Sequence, residues 1–410
     1  MENAKNIIIY GSLGLSGNVG DQAMVFTLID YLKKQKHTNI FLLNDEAFNN
    51  NDKYTFNIIK DIPIKFMLKD INKVLYLLYS IFKKNKKYDI ENINKSIQIY
   101  KSSDVIFCIN GFLITSQLEF LNSIGSFIKL IYAKKNNKKI IILPQSVGPF
   151  NYKGIKKIIF EYLFKISMKY PEKIFLRGKY GYQLYKERKI KNIAVEQDIV
   201  LSRDGDIDSN LIYNMKRESI DFSKYNIDKN KDMLLNINTR FLKYIPEKQL
   251  IEIYKEIILG YLNYSKGKVY IFKHDYICDK KITNLLYSKL QNNSNIIYIE
   301  DKLNCMEIEQ LMTKFDIGLF SRWHAYVHSI RANLPSVILG WSEKYRETAK
   351  IFKMQSNLFD IREHNEVNEI IDALKRVQKS KVDIKNKLKI KHEEIKKTYI
   401  LEREGKSWLK

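Results

Sequence analysis

Cysteine is scarce in this chain: three in 410 residues, at Cys108, Cys278 and Cys305, with no C-x-x-C pair. That spacing implies neither a disulfide framework nor a zinc site, and reduced thiols in a cytoplasmic protein are the simplest reading. Acidic residues are outnumbered, 46 against 70 Lys and Arg, for a formal net charge of +24. Two explanations stay open: lysine placed on every solvated face, or attraction to anionic substrates or an anionic membrane surface. Nucleic acid is not expected as a partner, because no basic stripe is interleaved with aromatics and no nucleic-acid module is present. Long apolar runs are missing too. The most apolar short stretch, Val74 to Phe82, falls far below the roughly 20 residues that cross a bilayer. The chain enters a strand pattern almost at once and shows no signal-peptide core. No short-period repeat and no low-complexity linker interrupts it.

What is present alternates. At 410 residues the chain exceeds one ordinary core, so two domains are expected. Short Ile-rich runs predict buried parallel strands at 6–10, 40–43, 104–109, 139–143, 173–176 and 193–195, with helical patterns between them. A second series is expected at 234–237, 268–272, 296–299, 317–320 and 337–339. The fold class predicted is α/β, two Rossmann-like parallel-sheet domains in tandem. The divisions expected are 1–205, a polar linker 206–232, a second domain 233–364, and a charged helical tail 365–410 bracing the two. Such halves place a ligand in the cleft between them, at the carboxyl ends of the strands.

Every chemically suggestive residue falls just after a predicted strand. The stretch Asp316–Lys344 reads strand, turn, helix, turn, strand. Arg322 and His324 stand at the helix start and Lys344 follows the next strand. Arginine beside the free amides of a helix N-terminus suits an anion, and histidine can move a proton near neutral pH. Arg177 ends another strand and can bind carboxylate or phosphate bidentately. The loop Gly11–Asp21 departs from G-x-G-x-x-G and from the phosphate loop. Its glycines and following amides suit close approach to an anion, while Asp21 could equally be a plain helix cap. His274 is another cleft-edge candidate. His328 is expected to be filler on its helix face. No H-E-x-x-H accompanies the two histidines, and no metal is expected.

Taken together, these residues resemble the polysaccharide pyruvyl transferase family. The resemblance rests on YGSLGLSGNVGDQA, INGFLI, LPQSVGPF, FLRGKYGYQLYKE, EQDIVLS and SRWHAYVHSIRANLPSVILGWSEK, spread from Ile7 to Lys344. It implies a fold like the two-domain GT-B glycosyltransferases. It also implies transfer of pyruvate from phosphoenolpyruvate (PEP) onto a sugar as a ketal, with release of phosphate. Arg177, Arg322 and Lys344 are then expected to bind PEP, and His324 and Lys344 to be catalytic. Asn18, Asp21, Asn110, Gln145, Ser146 and His274 are expected to line the acceptor side of the cleft. No cofactor is implied beyond PEP as donor substrate. The acceptor implied is a sugar of a cell-surface polysaccharide or its lipid-linked precursor, polyprenyl diphosphate being one carrier to consider. Peripheral contact with the inner membrane face is a candidate through the basic surfaces. Where the family carries a run of glycines, this chain has Asn110-Gly111-Phe112, which leaves the acceptor open. The alternative is a GT-B nucleotide-sugar glycosyltransferase, against which Glu343 and Glu347 stand four apart rather than eight.

Overall fold

The structure is a computed structural model and describes residues 4–409 apart from 13, 37, 47, 74–75, 77–86, 216–217, 219 and 364–365. Of the apolar run 74–82, all but Tyr76 lies outside the described residues. Thirteen described strands form two sheets, and every pairing is parallel.

The first sheet contains β1 (Lys5–Tyr10), β2 (Thr38–Leu43), β3 (Asn57–Ile59), β4 (Val105–Cys108), β5 (Lys139–Gln145), β6 (Lys173–Leu176) and β7 (Ile193–Val195). Their order is 3-2-1-4-5-6-7. The second contains β8 (Met233–Leu235), β9 (Val269–Ile271), β10 (Ile296–Tyr298), β11 (Ile317–Phe320), β12 (Ser336–Gly340) and β13 (Leu358–Asp360), in the order 10-9-8-11-12-13. The two orders share one pattern, with the first strand of each sheet paired to the fourth. The direction in which successive strands are added therefore reverses beside β1/β4 and beside β8/β11, and the crevices for ligands open there. Continuous apolar runs such as Ile7–Ile9 and Ile140–Ile142 are buried, as strands covered by helices on both faces must be.

Sequence periodicity passed over β3 and β13, each three residues long. The segment between the sheets carries short 3-10 turns, and four of its apolar residues, Ile207, Ile212, Tyr213 and Phe222, are buried. Tyr213 stacks on Tyr54 of the first half at 5.6 Å. The tail forms helices Val367–Lys379, Lys381–Lys396 and Ile400–Trp408. The first packs on the second sheet. The last brings Trp408 to Phe107 and Phe175 of the first sheet, 5.9 and 5.6 Å away. The tail therefore bridges both halves.

Candidate active site

The two sheets meet along a short seam. Asn18 and Asp275 form an antiparallel bridge, the Val19 amide donates to the His274 carbonyl at 3.1 Å, and the Cys305 amide donates to Gln22 Oε1 at 2.8 Å. Above this seam lies a cavity of about 200 Å³. Arg177, Arg322, His324 and Lys344 all face it, with Asn18, Asp21 and His274. Seven of the ten residues expected from sequence thus share one wall.

The loop after β1 behaves differently from the expectation of free amides. Asn18, not Asp21, caps helix Val19–Lys34, and its Oδ1 accepts from the Gly20 and Asp21 amides at 2.9 and 3.3 Å. With the Val19 amide also engaged, this helix start has little left for an anion. Gly20 is needed for another reason: a Cβ there would collide with the His324 ring. The missing side chain lets the two halves close around the histidine.

Two other helix starts reach the cavity without a side-chain cap. Arg322 is the N-cap of helix Trp323–Arg331 and Ser342 of helix Glu343–Ile351. Uncapped amides and aligned peptide dipoles favour an anion in front of them.

Each arginine is held by a carboxylate that sequence reasoning did not assign. Arg322 donates from Nε to Asp279 Oδ2 at 2.8 Å and from Nη2 to Oδ1 at 2.5 Å, with Asp275 Oδ2 3.3 Å away. Burial opposes its charge, but Asp279 and Asp275 outweigh that and hold its proton above the ordinary value. Arg177 pairs with Asp198 at 2.5 Å, donates to the Gly111 carbonyl at 3.2 Å, and lies 4.6 Å over the Trp323 ring. Its burial is only partly offset by Asp198 and Asp21, so its charged form is weakened. Both guanidiniums are oriented before any ligand arrives, which lowers the ordering cost of binding.

His324 sits over Trp323, ring centroids 4.8 Å apart. Its Nε2 is buried without a hydrogen-bond partner among the described residues, and Asp198 Oδ2 is 4.0 Å away. Burial, then Arg177, His328 and Lys344, push its proton affinity well below that of free histidine, so the ring is neutral near pH 7. Lys344 Nζ lies 4.9 Å from the Phe112 ring, 5.4 Å from Trp323 and 5.8 Å from Trp341. Burial, then Arg177 and Arg322, bring its pKa down to about 7. A lysine titrating near neutral pH inside a cleft marks a functional position.

His274 is buried, neither ring nitrogen has a hydrogen-bond partner among the described residues, and burial and its neighbour His328 keep it neutral. His328 is not filler. It is fully buried, and Nδ1 lies 2.9 Å from Glu309, which also pairs with Arg331 at 3.0 Å and Arg203 at 2.8 Å.

Three expected residues stand apart. Asn110 is buried beneath Gly11 and is not part of the cavity wall. Gln145 and Ser146 line a much smaller cavity on the far side of Phe112 and Lys344, next to Glu347. That carboxylate accepts from the Tyr180 amide at 3.0 Å, and a Cβ at Gly178 would strike it, so Arg177-Gly178 brings the halves together a second time. Sequence reasoning missed Asn238 and Arg240, which line the main cavity just after β8. Their strand-end position was the available signal.

The fold and this inter-sheet site define an enzyme of the two-domain GT-B-like class. The chain belongs to the polysaccharide pyruvyl transferase family, whose model matches residues 18–343. It is therefore a transferase of polysaccharide biosynthesis. No curated protein matches it. Among solved structures it is similar to Alr3699/HepE of Anabaena in complex with UDP and glucose, at 11% identity and TM-score 0.56, covering 97% of this chain and 96% of that one. It is similar to MnaA of S. aureus with UDP, at 13% identity and TM-score 0.56, covering 94% and 90%. The UDP-GlcNAc 2-epimerase of Methanocaldococcus jannaschii follows at 14% and 0.52, covering 90% and 92%. At these identities the likeness is one of fold.

Proposed function

We propose that this enzyme transfers pyruvate from phosphoenolpyruvate onto a pair of sugar hydroxyls, forming a ketal and releasing phosphate. The observation that carries this reading is the convergence of Arg177, Arg322, His324 and Lys344 on one cavity, in front of two uncapped helix starts. PEP carries a carboxylate and a phosphate, and this wall offers cationic groups at fixed positions for both.

Ketal formation begins with a proton added to the PEP methylene, which leaves an oxocarbenium-like centre at C2. One sugar hydroxyl adds there and gives its proton back to the spent acid. Phosphate then departs with the C–O bond electrons and takes up the proton that the second hydroxyl loses as it closes the ring. His324 is the acid. Burial and Arg177 keep its ring neutral, so its proton enters with the donor, whose negative charges raise its proton affinity. Lys344 and the arginines stabilise the leaving phosphate. Asn18, Asp21 and His274, on the same wall, face the acceptor.

The test is phosphate release from PEP in the presence of a saccharide panel. A positioned acid contributes roughly 10²–10⁴-fold, so His324→Gln should lose at least about a hundredfold with an unchanged unfolding midpoint. Retention of more than about a tenth of the rate overturns the role given to His324.

A further inference from the structure

The helix Gly154–Ser167, which follows β5, carries an apolar stripe that none of the described residues covers. Ile155 is 73% exposed, Ile158 71%, Tyr162 65%, Ile159 40% and Ile166 37%. Their spacing, i, i+3, i+4, i+7 and i+11, confines them to an arc of about 100° on a helix. The opposite face is committed to the core. Phe160 and Phe164 are fully buried and pack on Phe127 at 5.3 and 6.0 Å. The helix therefore has two apolar faces, and only one has a partner among the described residues.

Lysines border the open face. Lys156 and Lys165 flank the stripe on either side, and Lys153 and Lys169 stand just beyond the two ends of the helix, all exposed. The one acid on the helix, Glu161, is taken up by Arg188 through two hydrogen bonds of 3.0 and 2.7 Å. An apolar strip bordered by lysines matches the interfacial zone of an anionic bilayer, acyl chains against the isoleucines and headgroups against the ammonium groups. A symmetric pair of copies meeting on this stripe would set lysines against lysines.

We propose that this helix docks the enzyme on an anionic membrane surface, lying in the plane of the headgroups. Its N-terminal end follows the carboxyl edge of the first sheet, where the Gln145–Gly148 loop lines the smaller cavity beside Lys344. Docking therefore places the loop at this end of the helix near the bilayer. If the acceptor reading above holds, this is where a lipid-linked sugar is met.

The test is flotation of the full chain with vesicles of equimolar phosphatidylcholine and phosphatidylglycerol, in the absence of PEP, beside phosphatidylcholine alone. The protein should float with the anionic vesicles, and added salt should weaken the association. Ile158→Ser with Tyr162→Ser, and separately Lys156→Glu with Lys165→Glu, should each reduce binding about tenfold or more. Both pairs should leave the unfolding midpoint unchanged, because the residues are exposed. Absence of flotation, equal binding to neutral vesicles, or full binding by either double variant overturns the proposal. A dimer detected by light scattering that Ile158→Ser with Tyr162→Ser dissociates, without vesicle binding, assigns the stripe to a second copy and overturns it as well.

Discussion

Binding of PEP should draw protons from solution, and the residue responsible should change with pH. In the free site Lys344 titrates at about 7, so at pH 8 only about a tenth of it is charged. A carboxylate or phosphate within about 4–6 Å raises such a pKa by roughly 1–3 units, and PEP brings both groups. Lys344 then holds more of its proton in the complex, and about 0.4–0.9 proton is taken up per PEP bound at pH 8. The bound form carries more protons, so affinity falls as pH rises, by up to about tenfold per unit above roughly pH 7. At pH 6 Lys344 is already charged and contributes almost nothing. Uptake there belongs to His324, which starts neutral because burial and Arg177 depress it. Calorimetry of PEP binding in buffers of differing ionisation enthalpy reads the uptake directly. Lys344→Met should remove the pH 8 component and His324→Gln the pH 6 component. Saturable binding to the wild type with no uptake at pH 8 would refute the reasoning, because Lys344 would then be charged in the empty cleft.

Three further outcomes follow from the same geometry. Asp279 is fully buried and is the bidentate partner of Arg322. Asp279→Ala leaves the buried guanidinium with the more distant Asp275, 3.3 Å away, and should cost about 3–5 kcal/mol, read as a fall in unfolding midpoint. Gly20→Ala forces a Cβ against the His324 ring and should cut turnover at least about tenfold, since small displacements of a reacting group are costly. Glu309 is held well below its ordinary 4.5, burial being outweighed by Arg331, Arg203 and His328. The unfolded chain binds its proton more readily, so Glu309 stabilises the fold above that value and the contribution fades as pH falls through and below it. Glu309→Gln should lower the unfolding midpoint at pH 7 and flatten its fall between roughly pH 5 and 3. An unchanged slope would mean other carboxylates dominate acid unfolding.

Sequence alone carried the strand-end residues well, because a charged side chain directly after a buried run has few places to go but the carboxyl edge of a sheet. Arg177, Arg322, His324 and Lys344 were legible on that ground. Their carboxylate partners were not. Asp279 lies 43 residues from Arg322, and only the packing of two loops brings them together. The reading that left Asp21 open as a plain cap could not single out Asn18, because either side chain can cap and backbone geometry decides. His328 read as filler because its partner Glu309 sits on a different helix. Asn110 read as a cleft residue because it ends β4, yet its side chain packs beneath Gly11. The strands β3 and β13, three residues each, are too short for periodicity to reveal. The family resemblance, spread from Ile7 to Lys344, agrees with the family match over residues 18–343.

The central claim is a donor site for PEP, and thermal unfolding with and without millimolar PEP, beside a panel of nucleotide sugars, tests it most directly. A ligand at a hundred times its dissociation constant adds about 2.7 kcal/mol of stability. PEP should raise the midpoint of the wild type, Lys344→Met should lose most of that rise, and the nucleotide sugars should leave the midpoint in place. No response to PEP, with a clear rise from one nucleotide sugar, would contradict the donor assignment and make the enzyme a glycosyltransferase.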